Sequence, residues 1–394
     1  MKKTLLFLPL LASILLFNHA LSAQCIDGYL PSGQRCGGTV QTAVPFLRIT
    51  PDARSGAMGD VGIALTPDAN SILYNASKLA LADKKWGVSV NYSPWLRNTR
   101  LKDLFLLHGA AYYQFGNKVK QAVAISYQYF DYGKITWTDF NGDPIREGHP
   151  FEMALTGAYS RQLSDKWSLG LSGKYIYSEL PTNISNIDFH AGKAFAVDIS
   201  TTYKKPLALG KINTNLIIGA TVSNVGNKVS YTDNSRNGDF LPANLGIAGA
   251  WEVEFNANHK LLISVEFNKS LVVTPQPNDT TGTWKDVSVV KGIFKSFSDA
   301  PNGFKEEMQE ITTSLGLEYW LFQHFALRGG YFHENKFKGG REFYTLGGGL
   351  RYKMYGFNIS YLKLIPNTDL SLRSIDNTWR FSLLLNGFTA KNAL

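Results

Sequence analysis

Trp167-Ser168-Leu169-Gly170-Leu171-Ser172-Gly173-Lys174-Tyr175-Ile176-Tyr177 is the stretch that decides the fold class. Trp167, Leu169, Leu171, Tyr175 and Tyr177 occupy odd positions, while Ser168, Gly170, Ser172 and Lys174 fall between them. A period of two places the apolar set on one face of a β-strand and the polar set on the other. The alternation returns at Trp86/Val88/Val90/Tyr92, Phe195/Val197/Ile199, Leu245/Ile247/Trp251/Val253, Leu261/Ile263/Val265/Phe267, Phe325/Leu327/Tyr331, Phe357/Ile359/Tyr361 and Trp379/Phe381/Leu383/Leu385. About fourteen such segments run from Trp86 to the end of the chain, starting near Trp86, Leu104, Val119, Glu152, Trp167, Ala194, Thr214, Asn244, His259, Thr312, His324, Phe343, Tyr355 and Trp379. Each is near the length that crosses a bilayer as a tilted strand.

The connections alternate in length. Gly116-Asn117-Lys118, Ser164-Asp165-Lys166, Asn256-Ala257-Asn258, Leu321-Phe322-Gln323 and the turn near Met354 are short, with Pro206 to Asn213 the least short of the set. The long ones are 93–103, 131–151, 179–193, 223–243, 268–311, 332–342 and 365–378. Short turns at one end and long loops at the other are the habit of an outer-membrane barrel, whereas a soluble sandwich has no reason to keep that parity. The polar face carries Lys120, Glu152, Lys174, Asp198, Glu252, Glu266, Glu318, Arg328, Arg351 and Arg380. Burying both signs in a narrow soluble core is costly, but a wide barrel hydrates them or pairs them with a plug. Only a closed barrel satisfies every strand N–H and C=O in lipid. Tyr92, Trp95, Tyr127, Tyr129, Trp167, Tyr177, Trp251, Trp320 and Trp379 are expected in the interfacial girdles. The expected fold is therefore all-β, a fourteen-stranded antiparallel transmembrane outer-membrane barrel over 86–394.

Composition agrees. The 394 residues are 44% hydrophobic, 18% charged and 13% aromatic, which excludes disorder as the main state. Lys and Arg exceed Asp and Glu by 40 to 31, a surplus that suits nucleic acid or an anionic membrane surface. The N-terminus separates these. Lys2-Lys3, an apolar run from Thr4 to Phe17 and the small residues Ala20-Leu21-Ser22-Ala23 form a signal peptide over 1–23, and an exported chain does not meet nucleic acid. In an oxidising compartment Cys25 and Cys36, flanking a Gly/Pro-containing loop, read as a disulfide, with two free thiols as the alternative. Residues 24–85 lack the strand pattern and are too few for a core of their own. They read as a plug, with a short helix over Asp68 to Asn75.

Two motifs in that segment carry a resemblance. Ala53-Arg54-Ser55-Gly56-Ala57-Met58-Gly59, followed by Tyr74-Asn75-Ala76-Ser77-Lys78-Leu79, resembles the FadL-type outer-membrane barrels, which have fourteen strands and an N-terminal plug. That family usually has Asn-Pro-Ala or Asn-Pro-Ser where Asn75-Ala76-Ser77 stands here. The longer run Phe46-Leu47-Arg48-Ile49-Thr50-Pro51-Asp52-Ala53-Arg54-Ser55-Gly56-Ala57-Met58-Gly59-Asp60 looks like the PorV (LptO) family, the FadL-like component of the type IX secretion system. The resemblance marks Arg54, Gly56, Met58, Gly59 and Asn75 as plug-motif residues. It implies a barrel in the cell outer membrane that receives exported cargo through the cargo's C-terminal signal domain. It further implies passage of that cargo from a large translocon barrel to a cell-surface sortase.

No G-x-S-x-G elbow, P-loop or H-E-x-x-H motif is present, and the seven histidines are scattered, so no catalytic, cofactor or metal site is expected. His108 and His324 read as polar wall residues. Gly347-Gly348-Gly349 lies within an alternating strand and reads as a bend or a close plug contact rather than a phosphate loop. The long loops hold the candidate partner-binding residues: Trp95, Trp137, Phe189, Trp284, Phe294, Phe297 and Phe304. Trp284, Phe294, Phe297 and Phe304 lie among Lys285, Lys291, Lys295 and Lys305, which suits docking of a folded, acidic domain or contact with lipopolysaccharide. A channel for hydrophobic small molecules and a lipid A deacylation factor are the other readings. The mainly polar inward face weighs against the first, and the lack of a Ser-His-acid spacing against the second.

Overall fold

The computed structural model describes residues 39–96, 103–138, 141, 143–180, 190–210, 212–232, 238–276, 282–365 and 375–387. Fourteen strands close into an antiparallel barrel. They are β1 (Trp86–Pro94), β2 (Phe105–Phe115), β3 (Gln121–Asp131), β6 (Phe151–Gln162), β7 (Trp167–Glu179), β8 (Gly192–Leu209), β9 (Ile212–Gly226), β10 (Asn244–Asn256), β11 (His259–Ser270), β12 (Ile311–Leu321), β13 (Phe325–His333), β14 (Glu342–Tyr352), β15 (Tyr355–Leu364) and β16 (Thr378–Asn386). β1 pairs with β16 from Gly87↔Asn386 to Tyr92↔Phe381 and so removes both sheet edges. A separate hairpin, β4 (Ile135–Thr138) and β5 (Pro144–Gly148), stands in the long connection between β3 and β6.

The alternation sorts as expected. Val90, Ile125, Leu171, Phe195, Ile199, Leu346 and Leu383 are exposed on the outer face, and Ser89, Ser126, Ser172, Asp198, Ser200, Thr345 and Ser382 are buried on the inner one. Short and long connections alternate without exception along the barrel. The turn after β8 is tighter than expected, because Pro206 to Leu209 continue the strand and pair with β9. Pro206 is tolerated there since β7 pairs with β8 only as far as Tyr203, so the missing N–H faces no neighbour.

Some expectations need correction. Trp320 does not join the girdle. It shares the inward parity of Glu318 and lies under the guanidinium groups of Arg328 and Arg351, 5.6 and 4.3 Å from its ring centre. Trp95 lies past the end of β1 and meets Phe130 edge-on at 6.3 Å. His324 lies in the turn between β12 and β13, and Lys120 in the turn between β2 and β3, rather than in the wall. His108 is a wall residue, fully buried, with Nδ1 3.0 Å from the Asn91 amide. The glycine run of β14 keeps its register with both neighbours, so it makes no bend. A Cβ on Gly347 would stand 2.5 Å from the Ala57 Cβ, so the close-contact reading is the right one. The signal segment, Cys25, Cys36 and Phe189 lie outside the described residues.

Residues 43–82 pack against the inward face of the strands. Ala43, Val44, Phe46 and Leu47 join Leu106, Phe130, Ala154, Ile176 and Ala194, at the strand ends that lead to long loops. Ala69, Ile72, Leu79 and Ala82 join Ala110, Tyr112 and Ala122, further towards the short-turn end. Helix α1 (Ala53–Gly56) lies between the two groups, while helix α2 (Ser71–Tyr74) and the 3₁₀ turn that follows it (Ala76–Leu81) supply Ile72 and Leu79 to the second. α1 is capped by Asp52, whose Oδ2 accepts from Ser55 N, and the 3₁₀ turn by Asn75, whose Oδ1 accepts from Ser77 N.

Candidate functional site

Two regions carry most of the polar chemistry, one inside the barrel and one at its loop end. Inside, Arg54 is the centre. Its Nε and Nη2 donate to the two carboxylate oxygens of Glu318 at 2.9 and 2.7 Å, and Nη1 to Thr66 O at 3.0 Å and Asp68 Oδ2 at 3.2 Å. Arg328 Nε donates to the same Glu318 from the wall at 2.7 Å. Burial works against the Arg54 charge, but Glu318 and Asp68 more than offset it and hold the guanidinium protonated. Glu266 accepts from the backbone N–H of Gly62 and of Ile63. Arg380 donates to Thr50 O, and Ala53 N donates to Ser382 Oγ. Asn75 Nδ2 reaches Ile63 O and Thr202 Oγ1. Lys78 donates to Gly62 O at 2.5 Å, and burial lowers its pKa to about 8.

Among the plug-motif residues, Arg54 and Asn75 anchor to the wall, and Met58 packs with Val61, Ile63, Ile217, Ala248 and Leu262. Gly56 leaves room for the Arg380 side chain. Gly59 sits at φ +70°, and a Cβ there would be 2.5 Å from Tyr331 O. Sequence reading missed the apolar inward positions Ile217, Ala248, Ala250 and Leu262. The local signals were Leu261-Leu262 and Leu216-Ile217-Ile218, where successive apolar residues break the alternation.

At the loop end, the β11–β12 connection folds into a small module. Helix α3 (Val289–Lys295) follows a 3₁₀ turn (Thr283–Asp286), and helix α4 (Phe304–Gln309) leads into β12. Leu271, Val272, Val273 and Trp284 pack on Phe240 and Ala243 of the β9–β10 connection. The Trp284 ring stacks on Phe240 at 6.1 Å. On the other side Glu306 and Glu310 accept from Lys338 of the β13–β14 connection, and Lys269 at the end of β11 meets Glu307 and Glu310. Burial pushes the Glu306 carboxyl up, but the Lys338 ammonium and the Asn302 donors more than offset it, leaving its pKa below the usual carboxylate value. Burial pushes the Asp299 carboxyl up despite the bond from Thr274 N.

The candidate partner-binding residues thus separate. Trp284 is 7% exposed and Trp95 half-buried, so both rings pack between neighbouring connections. The reason is size: a large ring at a loop base fills the space between neighbouring connections. Phe294 is 74% exposed, Phe304 76% and Phe297 47%, with Val290 and Met308 beside them in the sequence of α3 and α4. Trp137 lies on β4, opposite Arg146. The described residues hold no cluster of three or more His, Cys, Asp or Glu arranged for a metal.

Comparison with known proteins follows this geometry. The family model for the type IX secretion system protein PorV matches residues 32–277, more than half of the chain. The chain belongs to the PorV family. No curated protein sequence matches it. Among solved structures, the toluene transporter TbuX of Ralstonia pickettii is 10% identical with a TM-score of 0.50, over 87% of this chain and 99% of that one. The toluene transporter TodX of Pseudomonas putida is 13% identical with a TM-score of 0.46, over 85% and 96%. A Pseudomonas aeruginosa FadL homologue is 11% identical with a TM-score of 0.42, over 89% and 99%. TbuX supports a shared barrel fold. As a PorV-family barrel with a lipid-facing outer surface, the chain resides in the outer membrane and is a component of the type IX secretion system.

Proposed function

We propose that this PorV-family barrel is a non-enzymatic carrier that binds exported proteins at its loop end. It holds them by their C-terminal signal domain and takes them from the translocon to the cell-surface sortase by diffusion in the membrane. The observation that carries the reading is the loop module that exposes Val290 and Phe294 beside Lys291 and Lys295. Apolar anchors on a structured base suit protein docking, and the cations favour an acidic partner. The N-terminal segment acts as a plug, so cargo is held outside the lumen and not threaded through it. The signal peptide is removed before Gln24. Deleting the gene and surveying the cell surface and medium tests this: many exported proteins should be lost from the surface. Loss of lipophilic uptake alone, with export intact, would instead favour a channel of the kind the toluene transporters are. Unchanged export with altered lipid A would favour the deacylation reading.

A further inference from the structure

The loop module does more than cap the barrel mouth. Its helix α4 lies over the outer wall at β10 and β11 and leaves a groove of about 240 Å³ between them. Ile247 and Phe267 form its floor, and Phe297, Phe304 and Met308 its overhanging side. The lining is almost entirely carbon. Ile247 and Phe267 belong to the same outward rows as Trp251 and Ile263, which face lipid. The groove therefore continues the membrane-facing surface under the edge of the module.

We propose that this groove seats one acyl chain of a lipid of the surrounding leaflet, clamping an annular lipid beneath α4. Three observations select that occupant. The groove is continuous with the lipid-facing band, so a chain enters without leaving an apolar environment. The charged groups at its back are already paired: Lys269 Nζ lies 2.6 Å from Glu310 Oε2 and 2.9 Å from Glu307 Oε2, so they present no unpaired charge to a polar ligand. The volume falls below the usual range for drug-sized ligands, roughly 300–1,000 Å³, and suits a length of aliphatic chain. The inference rests on membrane placement, not on cargo binding.

The test uses the full chain in nanodiscs of phosphatidylethanolamine containing a phosphatidylglycerol analogue with a diazirine midway along one acyl chain. After photolysis, cross-links are mapped by peptide. The peptide covering Phe297 to Met308 should be labelled at least five-fold more than the one covering Val289 to Lys295, which is equally part of the loop but lines no groove. Met308→Trp, which fills the space, should remove that excess and leave label on the other strands unchanged. Phe304→Ala, which opens the side, provides a second variant, and heat-modifiable migration on gels confirms that each barrel is folded. Equal labelling of the two peptides, or an excess unaffected by Met308→Trp in a folded barrel, would overturn the proposal. So would labelling absent in nanodiscs together with protection of Met308 only in co-purified translocon, since the occupant would then be a protein.

Discussion

Glu318 shows how a single residue ties the interior together. It is buried between Arg54 and Arg328, one cation from the N-terminal segment and one from the wall. Removing its charge leaves two buried guanidinium groups without their shared anion, a change that costs about 3–5 kcal/mol for buried pairs in general. Glu318→Gln is therefore expected to lower the unfolding midpoint of the detergent-solubilised barrel by that order, read from denaturant titration. Glu147→Gln, which breaks the exposed pair with Lys134, should change stability by less than about 1 kcal/mol. Gly330 makes a steric counterpart. A Cβ there would stand 2.0 Å from Gly59 N, whereas at Gly157 it would meet nothing within 4 Å. Gly330→Ala should destabilise strongly and make residues 53–62 more susceptible to protease, and Gly157→Ala should do neither. These partners were not legible in the sequence. Arg54 stood out through its motif, but Glu318 is 264 residues away, and nothing local distinguishes it from the other inward carboxylates.

At the scale of elements, the loop module is held by acid–base contacts more than by its short helices. Glu306 and Glu310 with Lys338 tie it to the β13–β14 connection, and Lys269 anchors it to β11. Because folding lowers the Glu306 pKa, its contribution is complete above the ordinary carboxylate value and is lost as pH falls through the lowered one. The protection of residues 283–310 against hydrogen exchange, corrected for the intrinsic rate at each pH, should therefore fall on acidification below the normal carboxylate range. Lys338→Met should produce the same loosening at neutral pH, and no difference between neutral and acidic samples would contradict the assignment. The strands themselves were legible from alternation because one face meets lipid and the other does not. The loops were not, because alternation carries no information there. A large ring such as Trp284 or Trp95 is equally compatible with a loop core and with an exposed anchor, and only the neighbouring connections decide between them.

At the scale of the molecule, a closed cylinder with a packed interior has a direct electrical consequence. In planar bilayers the folded chain should be nearly silent, and Glu318→Gln or Gly330→Ala, by loosening the inner segment, should raise conductance. A large resting conductance in the wild type would show that the inner segment does not plug the lumen. The barrel, its strand number and the alternation of short and long connections could be read from periodicity, since a membrane imposes that pattern along the whole wall. The functional claim rests on what the loop end exposes. Its most direct test is the affinity of the nanodisc-embedded barrel for an isolated cargo C-terminal signal domain, measured by surface plasmon resonance with the wild type and with a Val290→Ser, Phe294→Ser double variant. Saturable binding that weakens at least tenfold, about 1.4 kcal/mol, in the variant is the expected result. Binding of equal strength to both, or to neither, would contradict the docking account.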